Sequence, residues 1–205
     1  MRLLIACLVV ASVGCSNSEQ ERLKATSIPT YDQKTGKLTR ITADLNKDGK
    51  IDTWTYMDGT TPLRTEQDLD GDGKIDRWEF VSPDGKVTKT MLSRLKTGKP
   101  DTWVSASPDG TVKMNFSPTA DEHKITRWET YDKDRLVLVE EDTNGDGRPD
   151  KWEVHDGVPI ISVEFDLNFD GVRDERITYG PGGKVVLIES QPDGRGGYIK
   201  RIRPK

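Results

Sequence analysis

Four short stretches of the chain carry oxygen-bearing side chains at the same spacing. In each stretch Asp or Asn stands at positions 1, 3, 5 and 9, and Gly stands at position 6. Such oxygens are ligands of hard cations: Ca²⁺ takes about six to eight of them, and Gly lets the chain turn sharply around the ion. The spacing therefore predicts up to four calcium sites, with these ligands: Asp44, Asn46, Asp48 and Asp52; Asp68, Asp70, Asp72 and Asp76; Asp142, Asn144, Asp146 and Asp150; Asp166, Asn168, Asp170 and Asp174.

The four stretches differ in the number of carboxylates they offer. Numbered in chain order together with two weaker copies, they are loop 1 (residues 44–52), loop 2 (68–76), loop 5 (142–150) and loop 6 (166–174). Loop 2 has carboxylates at all four ligand positions, so it is predicted to be the strongest site. Position 7 would add a main-chain carbonyl oxygen, from Lys50, Lys74, Arg148 and Val172 in turn.

The two weaker copies separate what the turn needs from what a metal needs. Loop 3 (residues 93–101) keeps Gly98 and Asp101 but lacks carboxylates at positions 1, 3 and 5, and loop 4, around residues 120–125, is similarly degenerate. Asp, Asn and Gly also form turns without a metal, which is the alternative explanation of the pattern. However, carboxylates packed into one turn repel one another unless a cation neutralises them, so their joint presence favours metal binding.

The pattern Asp-x-Asn-x-Asp-Gly-x-x-Asp resembles the calcium loops of EF-hands, of integrin-type propeller repeats and of thrombospondin type 3 repeats. An EF-hand closes its loop with a bidentate Glu at position 12. Glu79 and Glu153 stand at that position in two copies, whereas Thr55 and Ile177 stand there in the other two. Position 9 is therefore assigned the closing carboxylate, and a ligand role for Glu79 and Glu153 stays open.

None of these three families is matched throughout. The flanks of the loops lack the helical period of an EF-hand, the repeat is too short for a four-stranded propeller blade, and the thrombospondin cysteines are missing. The hairpin phrase at residues 31–39 also resembles tyrosine-aspartate and MORN-like bacterial surface repeats. These resemblances imply calcium loops within an array of hairpins and imply no activity.

Tryptophan marks the repeat that positions the loops. The five tryptophans are spaced 24 or 25 residues apart, and Arg176 follows the last of them at the same interval; they are Trp54, Trp78, Trp103, Trp128 and Trp152. A period of this length, held through five copies, is typical of a repeat array. A regular Trp on a sheet can be a sugar-stacking platform, but one fixed strand position in every unit favours an interlocking core ladder.

Each repeat predicts about two strands around a tight turn. Turn sequences occur at residues 82–85, 108–110 and 180–183, between runs rich in β-branched and aromatic residues. The predicted fold is all-β: tandem β-hairpin repeats of about 24 residues, joined by the calcium-type loops, with about thirteen strands. The meander could form an extended twisted sheet, curl into a barrel-like arrangement or wind as a superhelix.

The first fifteen residues have the pattern of an export signal. Arg2 precedes an apolar run from Leu3 to Val13, and Ser12-Val13-Gly14-Cys15 resembles the lipobox of bacterial lipoproteins. The resemblance implies cleavage before Cys15 and acylation of that residue, which would anchor the protein to a membrane. The alternatives are an ordinary cleaved signal that leaves Cys15 as a free thiol, or cleavage elsewhere.

The composition limits both the core and the partners. Hydrophobic residues make up only 33% of the chain and charged residues 32%, which is a lean supply for one large core. Cys7 would leave with the signal and Cys15 would be acylated, so a disulfide is not expected. Metal binding coupled to folding is then the expected means of stabilising the fold. The net charge of −4 excludes a protein that binds nucleic acids non-specifically through overall charge.

These observations predict three segments and one leading function. Residues 1–14 are a lipoprotein signal peptide, 15–30 an acylated Cys with a flexible tether, and 31–205 the repeat domain. The expected function is that of a non-enzymatic calcium-binding lipoprotein of the bacterial cell envelope, which contacts membrane lipid through Cys15 and in which Ca²⁺ rigidifies the loops. The competing hypothesis is a surface adhesion module that binds a glycan or an envelope protein.

No sequence motif points to an enzyme. The chain has no nucleophile elbow, paired Cys/His metal motif or phosphate loop, and His123 and His155 have no partner pattern. The basic tail at residues 195–205 could contact anionic lipid headgroups or simply be a solvated, frayed terminus.

Overall fold

The computed structural model describes residues 27–204, and nearly all of its regular structure is strand. The strands are β1 (Ser27–Tyr31), β2 (Leu38–Ala43), β3 (Thr53–Asp58), β4 (Thr61–Gln67), β5 (Arg77–Val81), β6 (Val87–Leu92), β7 (Thr102–Ala106), β8 (Thr111–Phe116), β9 (Arg127–Asp132), β10 (Arg135–Glu141), β11 (Lys151–His155), β12 (Ile160–Phe165), β13 (Glu175–Tyr179), β14 (Val185–Pro192) and β15 (Tyr198–Ile202). A short 3₁₀ turn, Pro181–Gly183, connects β13 to β14. The predicted all-β hairpin array is confirmed.

The strands belong to two compact units, one ending at Pro100 and the other beginning at Asp101. In the first unit β1 to β6 are hydrogen-bonded to their neighbours in chain order, and every pair is antiparallel. In the second unit β7 to β15 follow the same rule. Among the described pairings none joins the first strand of a unit to its last, so each unit is an open meander.

At one end of the strands in each unit, tight hairpin turns join neighbouring strands. Between β5 and β6 the N–H of Gly85 donates to the carbonyl oxygen of Ser82 at 2.8 Å, and Gly85 has a φ of +82°. Between β7 and β8 Gly110 donates to Ser107 at 3.0 Å with a φ of +90°. A positive φ is what Gly permits, so the Pro-Asp-Gly turn prediction is confirmed. The longer loops all lie at the opposite end of the strands.

The tryptophans stand at the second residue of each odd-numbered strand from β3 to β11. In the first unit Glu66 of β4 lies directly between Trp54 and Trp78 in the strand register. Residues directly opposite one another share a face of the sheet, so the tryptophans form a cross-strand row with the residues between them. Trp78 is buried and the other four are half-buried, which fits a core ladder better than an exposed sugar platform.

Charge replaces aromatic packing where the row reaches Arg176. Arg176 lies opposite Glu164 on one side and Glu189 on the other. Its guanidinium forms ion pairs with both carboxylates and lies over the ring of Tyr198, 5.1 Å from the ring centre. The end of the tryptophan repeat at this position therefore coincides with a ladder of alternating charges.

The strand count exceeds the prediction because both edge strands lie in segments that the sequence suggested were irregular. β1 begins at Ser27, inside the predicted tether, and β15 lies in the basic tail. Edge strands pair on one side only, so their sequences show little alternation between apolar and polar residues. The predicted signal peptide, Cys15 and the tether up to residue 26 lie outside the described residues. Residues 27–204 contain no helix with the length and hydropathy needed to cross a bilayer.

Candidate metal centre

Main-chain hydrogen bonds link each loop to the one before it. In the first unit the N–H of Asp68 at position 1 of loop 2 donates to the carbonyl oxygen of Asp52 at position 9 of loop 1, at 2.9 Å. Ser93 at position 1 of loop 3 donates to Asp76 of loop 2 at 2.8 Å. The second unit repeats this link from Asp142 to Thr126 and from Asp166 to Asp150. Successive loops of a unit are therefore stacked on one another at one end of the strands, and each loop is seated on the loop before it through these hydrogen bonds.

The carboxylate at position 1 caps its own loop. In loop 2 the N–H groups of Gly71 and Gly73 donate to the two oxygens of Asp68, both at 2.8 Å. Only 7% of Asp68 is exposed, so its carboxylate is fixed in place by the main chain around it. The same role is played in loops 1, 5 and 6 by Asp44, Asp142 and Asp166.

The side chains at positions 3 and 5 form consecutive turns with the main chain. In loop 2 the N–H of Asp72 donates to Asp70 Oδ1 at 3.2 Å, and the N–H of Lys74 donates to Asp72 Oδ1 at 2.8 Å. Loops 1, 5 and 6 make the same two bonds, with the Asn side-chain oxygen accepting at position 3. These turns use one oxygen of each side chain and leave the second oxygen of Asp70 and Asp72 for another partner.

Position 9 ties the end of a loop to its beginning. In loop 2 the N–H of Leu69 donates to Asp76 Oδ2 at 2.9 Å. In loop 5 both oxygens of Asp150 accept bonds: Thr143 donates its N–H at 2.9 Å and its hydroxyl at 2.7 Å, and Asn144 donates its N–H at 3.2 Å. Position 9 is thus a structural part of the turn, which gives a reason for the Asp retained at that position in loop 3.

Serine replaces the position 1 carboxylate in the two weaker loops. In loop 3 Ser93 Oγ accepts the N–H groups of Thr97 at 3.1 Å and Gly98 at 3.2 Å. In loop 4 Ser117 Oγ accepts the N–H of Asp121 at 3.3 Å, which places the start of that loop before the segment that the sequence singled out. A hydroxyl is therefore enough to cap this kind of loop, and a carboxylate is not required for the turn.

Loop 2 brings three carboxylates together. One oxygen from each of Asp68, Asp70 and Asp76 lies within 4.8 Å of the other two. Calcium–oxygen bonds are about 2.3–2.6 Å long, so oxygens at this separation can share one ion. Asp72, the fourth predicted ligand of the loop, is outside this group. In residues 27–204 no other set of three Asp, Glu, His or Cys side chains reaches this mutual distance.

In loops 1, 5 and 6 the positions 1, 3 and 9 that meet in loop 2 include only two carboxylates, because Asn stands at position 3. The carboxylates at positions 1, 5 and 9 of these loops do not form a close group of three, and those at positions 1, 5 and 9 of loop 2 do not form one either. In loops 1, 5 and 6 the amide N–H₂ of the position 3 Asn donates to the position 5 carboxylate, at 3.4 Å from Asn46 to Asp48 and 3.1 Å from Asn168 to Asp170. This contact partly satisfies the position 5 charge in those loops.

Two lysines lie beside the loop 2 carboxylates. Lys96 Nζ of loop 3 is 2.6 Å from Asp70 Oδ2, and Lys74 Nζ is 3.2 Å from Asp72 Oδ2. The hydrogen bond from Lys96 lowers the pKa of Asp70, with a smaller contribution from the N–H of Asp72, and the same contact raises the pKa of Lys96. Lys96 is not among the residues predicted from the sequence; its only signal there is a lysine at position 4 of a loop without carboxylates at positions 1, 3 and 5.

Glu79 and Glu153, at position 12, have partners of their own. Glu79 forms an ion pair with Arg77. Glu153 lies 2.7 Å from Lys151 Nζ and 3.1 Å from His155 Nε2. Burial raises the pKa of Glu153, but the hydrogen bonds and charges of Lys151 and His155 outweigh that effect and hold it below its usual value. Neither Glu belongs to the carboxylate group of loop 2.

A cavity of about 260 Å³ lies between loops 1 and 2. Its lining includes Asp48 and Asp52 from loop 1 and Asp68, Gly71 and Asp72 from loop 2. Both loops belong to the first unit, so the cavity is a feature of that unit alone. It gives the two acidic loops a shared polar space that is open to solvent on one side.

No protein-family model matches the chain, and no curated protein matches it significantly. The resemblances to calcium-loop families and to bacterial lipoproteins therefore rest on the residues named above.

Proposed function

We propose that the protein is a membrane-anchored, non-enzymatic calcium-binding lipoprotein of the bacterial cell envelope, in which Ca²⁺ rigidifies the loops between the strands. Loop 2 is the best-formed candidate site, with Asp68, Asp70 and Asp76 as ligands and the main-chain carbonyl of Lys74 as a further oxygen donor. The other three loops are candidate sites that each offer three carboxylates and an Asn oxygen.

The observation that carries this proposal is the difference between Ser-capped and Asp-capped loops. Ser93 caps loop 3 with neutral oxygen, whereas Asp68 caps loop 2 with a charge and stands close to two further carboxylates. Three like charges within a few ångströms repel one another, and the ammonium group of Lys96 forms an ion pair with only one of them, Asp70, so a further cation would stabilise the loop. Because the turn itself does not need the charge, cation binding supplies the reason for it.

Calcium binding would also stabilise a fold with a small core. Few hydrophobic side chains are fully buried in residues 27–204, and many buried side chains are polar. Ligands gathered only in the folded state add the free energy of ion binding to the free energy of folding. Extracellular calcium modules bind with dissociation constants of about 10⁻⁴ to 10⁻³ M, which is the range proposed here.

Isothermal titration calorimetry with Ca²⁺ on the EDTA-treated chain tests the binding directly. The matched control carries Asp44→Ser, Asp68→Ser, Asp142→Ser and Asp166→Ser, which keeps an oxygen cap in every loop as Ser93 does in loop 3. Saturable heat in the wild type that is lost in the control supports calcium binding. Equal heats in the two proteins would show that the loops do not bind the ion.

The membrane anchor is proposed from the sequence, since Cys15 lies outside the described residues. Acylation of Cys15 with two or more chains would hold the protein on a bilayer, where a single chain would be marginal. Expression with a radiolabelled fatty acid should label the wild type and leave Cys15→Ser unlabelled and soluble. Label retained by Cys15→Ser would remove the lipoprotein assignment.

A second candidate function, adhesion to a partner, is favoured by the apolar surface of loop 6. Leu167 is 61% exposed, Phe169 52% and Val172 46%, and Phe169 has a φ of +60°. Because position 4 has a positive φ in every loop, the turn accounts for the backbone, and the exposed apolar side chains are what favour a binding surface. Binding of labelled chain to isolated cell envelopes and to a glycan array should fall in Phe169→Ser under this hypothesis. Identical binding by the two proteins would remove it.

A further inference from the structure

A lysine of loop 3 occupies space next to the loop 2 carboxylates. Lys96 Nζ lies 2.6 Å from Asp70 Oδ2, the carboxylate oxygen that does not accept the N–H of Asp72. The main-chain carbonyl of Lys96 in turn accepts a hydrogen bond from Lys74 Nζ at 3.2 Å. Loop 3, which has no carboxylates of its own at positions 1, 3 and 5, thus supplies a cation to its neighbour.

The place of Lys96 in its loop explains this contact. It stands at position 4, where the chain has a positive φ in all six loops: +64° at Lys47, +77° at Gly71, +56° at Lys96, +55° at Ala120, +81° at Gly145 and +60° at Phe169. Loop 3 is seated on loop 2 through the bond from Ser93 to Asp76. Its position 4 side chain is therefore directed at position 3 of loop 2.

Gly71 stands at the corresponding position 4 of loop 2 and faces loop 1, where the nearest carboxylate is that of position 5. Loop 2 is seated on loop 1 through the bond from Asp68 to Asp52. A Cβ built on Gly71 would lie 4.0 Å from Asp48 Oδ2, at position 5 of loop 1. Because Gly has no side chain, no cation reaches loop 1 from this direction, and the cavity between the two loops stays open there.

We infer that in the first unit the residue at position 4 of one loop sets the calcium affinity of the loop before it, and that Lys96 is an internal cation that competes with Ca²⁺ for Asp70. This inference rests on the proposed calcium function. An ammonium group and a divalent ion repel each other at the same carboxylate, so Ca²⁺ must displace Lys96 from loop 2. Loop 1 has one carboxylate fewer, but position 4 of the loop that follows it is Gly71 and not a lysine, so loop 1 then competes well with loop 2 for the ion.

Calcium titration followed by ¹⁵N–¹H NMR separates the two loops. The amides of Gly49 and Gly73 hydrogen-bond to the position 1 carboxylates of loops 1 and 2, so their shifts report each site separately. In Lys96→Met the dissociation constant read at Gly73 should fall about three- to tenfold, as expected when one positive charge is removed from beside a divalent ion in a solvated site. The value read at Gly49 should not change.

Two further variants sharpen the test. Lys99→Met removes the same charge from an exposed lysine of the same loop, and it should leave the Gly73 titration unchanged. Gly71→Lys places a lysine at position 4 of loop 2, where a positive φ already accommodates lysine in loops 1 and 3. It should raise the dissociation constant read at Gly49 about three- to tenfold.

The outcomes distinguish the inference from the function on which it rests. If Gly73 responds to calcium equally in the wild type and in Lys96→Met, the role of Lys96 is overturned while calcium binding stands. If neither Gly49 nor Gly73 responds in the wild type or in any variant, the calcium function fails and the inference fails with it.

Discussion

Ser93 and Asp68 hold the same place in successive loops, and each accepts the N–H of the glycine five residues further on. The distance is 3.2 Å from Gly98 to Ser93 Oγ and 2.8 Å from Gly73 to Asp68 Oδ2. One loop therefore forms with a neutral cap and its neighbour with a charged one. The charge is the part that the turn does not explain, and it is the basis of the calcium proposal.

Asp68→Ser should keep the turn and lose the ion. A hydroxyl at residue 68 can accept the same amide bond, so in EDTA the free energy of unfolding should change by less than about 1 kcal/mol. Asp68→Ala leaves the amides of Gly71 and Gly73 unpaired and should cost about 1–3 kcal/mol in the same buffer. Urea unfolding measures both. Equal losses in the two variants would contradict the assignment of the cap.

Asp150→Ala should destabilise the protein whether or not calcium is present. Asp150 accepts hydrogen bonds from Thr143 and Asn144 and is almost fully buried. Its removal leaves these donors without an acceptor and should lower the free energy of unfolding by about 1–3 kcal/mol. Asp150→Asn is the matched control, since its side-chain oxygen can still accept the main-chain bonds. Thermal melts in EDTA and in calcium check this. A loss confined to the calcium buffer would show that position 9 acts mainly as a ligand.

Glu153 should contribute to the acid sensitivity of the second unit. Its folded pKa is held below the unfolded value of about 4.3, so the folded state binds its proton less readily than the unfolded state does. Its stabilising contribution is therefore complete above the unfolded pKa and is lost as the pH falls towards the folded pKa. In Glu153→Gln the free energy of unfolding should be lower at pH 7 and should decline less between pH 5 and 3.

Asp134→Asn removes the same charge from an exposed turn residue and serves as the control for that experiment. Its acid profile should follow the wild type in urea unfolding from pH 3 to 7. A Glu153→Gln profile parallel to the wild type would mean that the contacts with Lys151 and His155 add nothing to stability.

Trp78→Ala tests whether the tryptophan row is a core. Trp78 is 9% exposed, and replacing a buried Trp with Ala costs about 3–5 kcal/mol. Leu69→Ala, at a residue that is 61% exposed in the adjacent loop, should cost no more than about 0.5 kcal/mol. Urea unfolding gives both values. A loss below about 1 kcal/mol for Trp78→Ala would favour the surface-platform interpretation of the tryptophans.

The features that could be predicted from the sequence are local ones. The turn at Gly85 needs only its own four residues, and the tryptophan spacing sets the repeat because the same strand position recurs in every unit. The caps at Asp44 and Asp68 follow from the spacing of Asp and Gly within one loop. Such features depend only on residues that are close together in the sequence.

The remainder depends on contacts between distant parts of the chain. Lys96 reaches Asp70 across 26 residues, and that contact exists only because loop 3 is seated on loop 2. Glu153 matches position 12 of a calcium loop, but in the folded chain Lys151 and His155 engage its carboxylate. β1 pairs with a strand on one side only and lacks a clear apolar alternation, so its position could not be predicted.

The most direct test of the calcium account is calorimetric melting of the same preparation in EDTA, after addition of about 10 mM free Ca²⁺, and in Mg²⁺ at the same concentration. With dissociation constants of about 10⁻⁴ to 10⁻³ M, each occupied site should add about 1.4–2.7 kcal/mol at that concentration. The account predicts a melting temperature that rises in calcium, returns when EDTA is in excess and rises much less in magnesium. The same melting temperature in all three buffers would contradict it.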